Sequence, residues 1–173
     1  MSNVKIAELL AEGQSVWQDD IARGMLTGGH LEHMVHGIGV RGVTSNPTIF
    51  EKAISAGSDY DEQIAGLLGE GKSALEIFEA VEIDDIRGAC DVLMPVYESS
   101  DGEDGYVSIE VSPDAARDAD STREQVRRLW DAVDRPNLMI KIPATLAGIP
   151  AITETIAAGI NVNVTLIFSL ERY

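Results

Sequence analysis

The chain has 173 residues, enough for one domain with a substantial core, and its apolar fraction of 45% is that of a globular protein rather than a disordered one. Its net charge of −16 disfavours nonspecific binding to nucleic acid or to anionic membranes. Because no run of 18 apolar residues occurs and residues 1–13 lack the apolar core of a signal peptide, we expect a cytoplasmic protein with a single domain spanning residues 1–173.

Short apolar segments alternate with longer amphipathic ones, a pattern typical of strand–helix units around a parallel sheet. Strands are predicted at residues 15–19, 40–44, 106–111, 138–143 and 160–168. Helices are predicted at residues 21–36, 47–56, 59–68, 73–98, 114–134 and 149–158, with an exposed loop at 99–105. The fold class is therefore α/β. The one cysteine, Cys90, is predicted to be a buried apolar residue, since no second cysteine is present to pair with it.

Polar residues inside the predicted strands are few and ordered. Strands of a parallel sheet are covered on both faces and should be continuously apolar, so these residues need an explanation. They share faces by the two-residue period and lie toward the strand ends; they are Asp19, Ser108, Glu110, Lys141, Asn161, Asn163 and Thr165. The C-terminal ends of the strands are where (β/α) barrels carry their active sites.

Lys141 is the sharpest candidate for chemistry. It lies between Ile140 and Ile142 in a strand predicted to be buried, where desolvation favours the neutral amine, and a neutral amine attacks ketones to form a Schiff base. The alternative is a structural lysine that extends to solvent from a strand edge. Carbon–carbon cleavage through a Schiff base also needs a carboxylate to move protons, and Asp19 and Glu110 are the candidates.

Each carboxylate has a structural alternative. One of the pair Asp19 and Asp20 could cap a helix, and Asp20 fits that role because the predicted helix begins at Ile21. Glu110 could form an ion pair with Lys141 without taking part in catalysis. The sequence leaves these alternatives open.

Residues 42–50, GVTSNPTIF, run from a strand into a helix with proline at its first turn. Asn46 is suited to cap that helix. Thr44, Ser45 and Asn46 also place three hydrogen-bonding side chains at one strand end, which suits a polyhydroxylated ligand.

This segment resembles one signature of the transaldolase family, and residues 138–156, LMIKIPATLAGIPAITETI, resemble the other, with Lys141 at the Schiff-base position. Residues 15–20, SVWQDD, are similar to the first barrel strand of the family, residues 107–111 to the strand with its catalytic glutamate, and residues 160–169 to the strand after the lysine. The resemblance covers essentially the whole chain. It implies a (β/α) TIM-type barrel of which about five of the eight strands are present, so that the domain is C-terminally incomplete.

The resemblance implies a transferase of the pentose phosphate pathway. It would move a dihydroxyacetone unit from sedoheptulose 7-phosphate or fructose 6-phosphate to an aldose phosphate, without a cofactor or metal. Asp19 would accept the proton of the C4 hydroxyl, Glu110 and Thr165 would polarise a catalytic water, and Thr44, Asn46 and Asn163 would bind sugar hydroxyls. The serine and arginines that bind the substrate phosphate in the family belong to its later strands.

Two alternatives to transaldolase activity remain. A relative could use the same lysine for simple aldol cleavage of a sugar phosphate, in which case no acceptor sugar is needed. An inactive half-barrel would only bind or oligomerise, and the absence of the phosphate-binding arginines favours it. Chemistry by the half-barrel itself would be expected to rely on self-association into a homo-oligomer.

Two further patterns are rejected as sites. Residues 66–73, GLLGEGKS, match the P-loop pattern, but no strand precedes them, so we predict a helix end at residues 69–71 and a cap at Ser73. His30, His33 and His36 have a spacing that a metal site could use. The third drifts around the helix from the first, and no acidic or cysteine ligand completes a motif, so we predict a solvated helix face.

Overall fold

Five parallel strands form one open sheet and follow each other across it in chain order. The computed structural model describes residues 4–173; residues 1–3, part of the predicted segment 1–13 and of the predicted domain 1–173, lie outside it. The strands are β1 (Trp17–Gln18), β2 (Gly42–Thr44), β3 (Tyr106–Glu110), β4 (Leu138–Pro143) and β5 (Val162–Thr165). All five predicted strands and the α/β class are confirmed. β1, β2 and β5 are shorter than predicted.

Helices connect the strands. They are α1 (Val4–Ala11), α2 (Arg23–Thr27), α3 (His30–His33), α4 (Pro47–Ser55), α5 (Asp61–Gly69), α6 (Ala74–Ser99), α7 (Ala119–Val133) and α8 (Gly148–Ala157), with a π-helical turn at Met34–Ile38 and a 3-10 turn at Ala115–Arg117. The predicted helices at 47–56, 59–68, 73–98 and 149–158 are confirmed to within about two residues. α1 was not predicted, and none of its residues is buried.

Two helix predictions are wrong in detail. The helix predicted at residues 21–36 is broken into α2 and α3, because Gly29 between them has a φ of 69° and interrupts the right-handed backbone. The helix predicted from residue 114 begins as a 3-10 turn, and α7 starts only at Ala119. The carboxylate of Asp118 sets this start, since it accepts hydrogen bonds from the backbone N–H groups of Asp120 and Ser121.

The main core lies between the sheet and helices α6 and α7. From β3 it takes Val107 and Ile109, and from β4 Leu138, Ile140 and Ile142, all fully buried. Val107 pairs with Leu138 and Ile109 with Ile140, so these side chains share one face of the sheet. The alternate residues must then point to the opposite face. Packing of the core therefore fixes the direction of Lys141. Cys90 of α6 is fully buried in the same cluster, as predicted.

Apolar side chains are exposed along and beyond the β5 edge. Phe168 is 87% exposed, and Leu170 and Tyr173 are similarly open. In the described range, residues 4–173, no helix is both long enough and apolar enough to cross a membrane.

Candidate active site

Lys141 lies on the face of the sheet opposite the helical core. In the register of β3 and β4 it is the partner of Glu110, and its Nζ is 3.3 Å from Glu110 Oε2. The same Nζ donates a hydrogen bond of 3.2 Å to the backbone carbonyl of Ser45, which follows β2. The side chains of Lys141 and Glu110 are only 13% and 16% exposed. The lysine is thus largely buried beside a carboxylate, and it does not extend into solvent.

The predicted acid and base groups lie around this lysine. Asp19 comes one residue after β1, Glu110 ends β3 and Thr165 ends β5. All three line one open cleft together with Lys141. Because the five strands are parallel, their carboxyl ends meet at the same edge of the sheet, and the side chains of distant segments converge there. The structural alternative for Asp20 does not hold, because its carboxyl group does not cap the following helix and the N-cap of α2 is Ala22.

A chain of hydrogen bonds joins the predicted sugar-binding residues Thr44 and Asn163 through Ser108. The Ser108 hydroxyl donates to Thr44 Oγ1 at 3.0 Å and accepts from Asn163 Nδ2 at 3.1 Å. Ser108 is fully buried, and Asn163 is the register partner of Lys141. The three side chains therefore form a connected polar floor on the face that carries the lysine. Such chains hold their members in fixed rotamers.

Ser45 and Asn46 differ in what they can offer a ligand. The Ser45 hydroxyl is fully buried and donates to the backbone carbonyl of Ser108 at 3.0 Å. The expectation that this side chain could contact a ligand is therefore wrong, and its carbonyl instead accepts from Lys141. Asn46 Oδ1 accepts from the N–H of Ile49 and caps α4, while the residue also lines the cleft.

Sequence reasoning missed the roles of three groups near the site. The Ser45 carbonyl gives no side-chain signal at all. Lys52 of α4 is exposed and lines the same cleft as Lys141. Glu82 of α6 is 6% exposed and lies behind Glu110 in an adjoining cavity. A signal for Glu82 existed, because it follows Val81 and precedes Ile86 in the buried stripe of the helix, where a carboxylate is unexpected.

The two rejected patterns have the structures predicted for them. Residues 66–73 end α5 and cap α6: Ser73 accepts from the N–H of Glu76, and the Glu76 carboxylate accepts from the N–H of Ser73. His30, His33 and His36 are all exposed. Over the part of the chain that the structure describes, no three His, Cys, Asp or Glu side chains are grouped to hold a metal ion.

Comparison with known proteins agrees with this geometry. The family described as transaldolase/fructose-6-phosphate aldolase matches residues 16–173. A transaldolase of Mycobacterium tuberculosis is 53% identical over 171 residues, which is 99% of this chain and 46% of that protein. The chain belongs to the transaldolase/fructose-6-phosphate aldolase family. A transaldolase of Trichodesmium erythraeum is 51% identical over 161 residues, covering 93% of this chain and 42% of that protein.

Membership of this family accounts for the sheet. Five parallel strands in chain order, with helices on one face and the polar residues on the other, are the corresponding part of the family's (β/α) barrel. The chain spans about half the length of the curated relatives that it matches.

Proposed function

We propose that this chain carries the nucleophilic half of a transaldolase active site and that Lys141 forms the Schiff base. The observation that supports it most directly is the position of the Lys141 amine, 3.3 Å from Glu110 and in one cleft with Asp19 and Thr165. The substrates would be sedoheptulose 7-phosphate or fructose 6-phosphate as donor and an aldose phosphate as acceptor. This reaction would belong to the pentose phosphate pathway.

The first step is attack by Lys141 on the ketone carbon. The ammonium form must lose a proton before it can attack, and the carboxylate of Glu110 is close enough to accept it. The carbinolamine that forms then loses its hydroxyl group as water, which gives the iminium. In this step Glu110, with Thr165, would hold the water that carries protons to and from the reacting atoms.

The second step breaks the bond between C3 and C4. Asp19 would take the proton of the C4 hydroxyl, the carbonyl of the leaving aldehyde forms, and the electron pair of the broken bond moves into the iminium to give an enamine. The enamine then adds to the acceptor aldehyde, and hydrolysis releases the product from Lys141. Thr44, Asn46 and Asn163 would bind the sugar hydroxyls along this path, which positions C4 near Asp19.

The substrate phosphate needs positive charge as well. Of the described residues that line the cleft, Lys52 and Lys141 are the basic ones. The resemblance assigns the phosphate-binding arginines to later strands of the family barrel. A cytosolic location and self-association into a homo-oligomer stay predictions.

Simple aldol cleavage of fructose 6-phosphate is the second candidate, since the family description names both activities. The two are separated by whether an acceptor is needed. Purified chain would be incubated with fructose 6-phosphate, with and without an aldose phosphate, and both the released triose phosphate and the new ketose phosphate would be measured. Transaldolase activity requires the acceptor for turnover. Equal triose release without an acceptor would overturn it in favour of the aldolase, and the inactive half-barrel predicts no product in either case.

A further inference from the structure

A second cavity adjoins the lysine cleft. It has a volume of about 380 Å³ and lies between α6, α7 and the end of β3. Its lining includes Phe78, Glu82, Gln125 and Leu129. Pro47, Glu110 and Pro113 line both this cavity and the cleft. Glu110 therefore stands between the two spaces, with Lys141 on one side and Glu82 on the other.

Glu82 is an exceptional buried side chain. It is 6% exposed, and across residues 4–173 its Oε1 has no hydrogen-bond partner. A buried carboxylate in that position is costly as an anion, and holding a proton relieves the cost. Desolvation, with a further contribution from the charge of Glu110, raises the pKa of Glu82 to about 8.

The other charged groups around the cavity do not offset this effect. Arg128 of α7 lines the cavity but is ion-paired with Glu79, which is on α6 one turn before Glu82. Asp114, in the turn after β3, lines it as a further acidic group. The acidic groups that line this cavity with Glu82 are thus Glu79, Glu110 and Asp114, and Arg128 is the cation among the lining residues.

We propose that Glu82 is a positioning residue for the lysine site, which stores a proton so that the Glu110 carboxylate pairs with Lys141 without a second negative charge behind it. With Glu82 neutral, the Glu110 carboxylate pairs with Lys141 at 3.3 Å and can accept its proton. Once Glu82 ionises, a second negative charge lies behind Glu110, repels it and stabilises the ammonium form of the lysine, which cannot attack a ketone. The titration of Glu82 does not depend on the proposed function, whereas its effect on Schiff-base formation does.

The titration is tested by nuclear magnetic resonance of the chain with ¹³C-labelled glutamate carboxyl groups, followed from pH 5 to pH 9. Through-bond assignment of Glu82 makes the result independent of whether a Glu82→Gln variant folds. We expect Glu82 to stay protonated through neutral pH, and its midpoint to fall in Glu110→Gln because the neighbouring charge is gone. Glu98→Gln, an exposed change at the far end of α6, is the matched control and should leave the midpoint in place.

A midpoint in the ordinary range of glutamate would overturn the proposal. A high midpoint that Glu110→Gln leaves unchanged would overturn it equally, since the two carboxylates would then be independent.

The effect on the lysine is tested by borohydride trapping with fructose 6-phosphate at several pH values in wild type and Glu82→Gln. The ratio of wild-type to variant trapping should fall several-fold as the pH passes through 8, a pH dependence that a purely structural role of Glu82 would not give. A ratio independent of pH would contradict the positioning role. If neither wild type nor Glu82→Gln is trapped at any pH, the proposed function fails. The carboxyl titration then still decides whether Glu82 and Glu110 are coupled.

Discussion

Helix α6 carries two buried carboxylates three residues apart, Glu82 and Asp85, in opposite surroundings. Asp85 is 1% exposed and accepts hydrogen bonds from Arg23 Nε at 2.7 Å and from the Tyr60 hydroxyl at 2.8 Å. The Tyr60 oxygen in turn accepts from the backbone N–H of Arg23. Glu82 is almost as buried, yet its Oε1 finds no partner in the part of the chain described.

This difference in hydrogen bonding distinguishes the structural role of Asp85 from the functional role that we propose for Glu82. The Asp85 network joins α2, the N-cap residue of α5 and α6, and none of its residues lines the lysine cleft, so we assign it to stability. Glu82 lines the cavity that shares Glu110 with the lysine cleft, and a buried carboxylate with an unpartnered oxygen beside such a cleft is a candidate functional group. Burial raises the pKa of both groups, but for Asp85 its partners oppose that effect.

The largest effect on stability is expected from Asp85→Ala. It leaves the Arg23 guanidinium without its carboxylate, and breaking a buried ion pair in this way costs about 3–5 kcal/mol. Urea unfolding followed by circular dichroism measures the loss. Glu98→Ala on the exposed face of the same helix is the control and should change the unfolding free energy by no more than about 0.5 kcal/mol. Equal losses of unfolding free energy in Asp85→Ala and Glu98→Ala would contradict the assignment of the Asp85 network to stability.

The second prediction concerns how stability depends on pH through Glu82. Its pKa is about 8 in the folded chain and ordinary, near 4.5, in the unfolded chain, so the folded state binds more protons between these values. Wild-type stability should therefore fall relative to Glu82→Gln as the pH rises from 4.5 to 8, by about 3–5 kcal/mol, since each pKa unit between the two values is worth about 1.4 kcal/mol, and the difference should then level off. Unfolding curves of both proteins at several pH values measure it. A difference that grows in favour of wild type with rising pH would refute the assignment of a buried, proton-holding Glu82.

A smaller effect is expected from Ser108→Ala. The change removes the hydroxyl that links Thr44 and Asn163, which should cost about 1–2 kcal/mol of unfolding free energy. It should also raise the concentration of fructose 6-phosphate needed for half-maximal trapping, because Thr44 and Asn163 lose their fixed orientation. Val107→Ala, on the core face of the same strand, is the contrast: it should lower stability and leave that concentration unchanged. If both variants change only stability, the polar floor has no part in binding.

The smallest loss of unfolding free energy is expected from breaking a solvent-exposed ion pair. Arg135 makes two hydrogen bonds to the carboxylate of Asp91 at 2.6 and 3.1 Å, but both residues are partly exposed to solvent. Arg135→Ala should therefore cost less than about 1 kcal/mol, and the cost should shrink in high salt. A loss as large as that of Asp85→Ala would show that burial does not decide the value of an ion pair in this fold.

Much of the fold could be predicted because the pattern of apolar residues decides it. β4 reads as apolar except for Lys141, and its core-facing residues fix the face on which the lysine lies. The break at Gly29 and the late start of α7 could not be predicted in the same way. The first depends on the left-handed backbone of Gly29 and the second on the side-chain cap by Asp118. Such local conformations differ little in free energy from a continuous helix.

The candidate site was predictable in its composition and only partly in its contacts. The convergence of Asp19, Glu110, Lys141 and Thr165 follows from parallel strands whose ends meet at one edge. The contact between Lys141 and the Ser45 carbonyl joins residues 96 positions apart, and no side-chain pattern announces a backbone acceptor. The sequence suggested the Ser45 hydroxyl for ligand binding, and its buried position could not be predicted from the sequence either.

The most direct test of the central claim is to identify the lysine that is trapped. The chain contains four lysines, Lys5, Lys52, Lys72 and Lys141, so peptide mass mapping after borohydride reduction with fructose 6-phosphate assigns the adduct without ambiguity. We predict a three-carbon adduct on Lys141, lost in Lys141→Ala and retained in Lys72→Ala, an exposed change remote from the cleft. An adduct on another lysine, or none on the folded chain, would contradict the assignment of Lys141 as the Schiff-base nucleophile of this polypeptide.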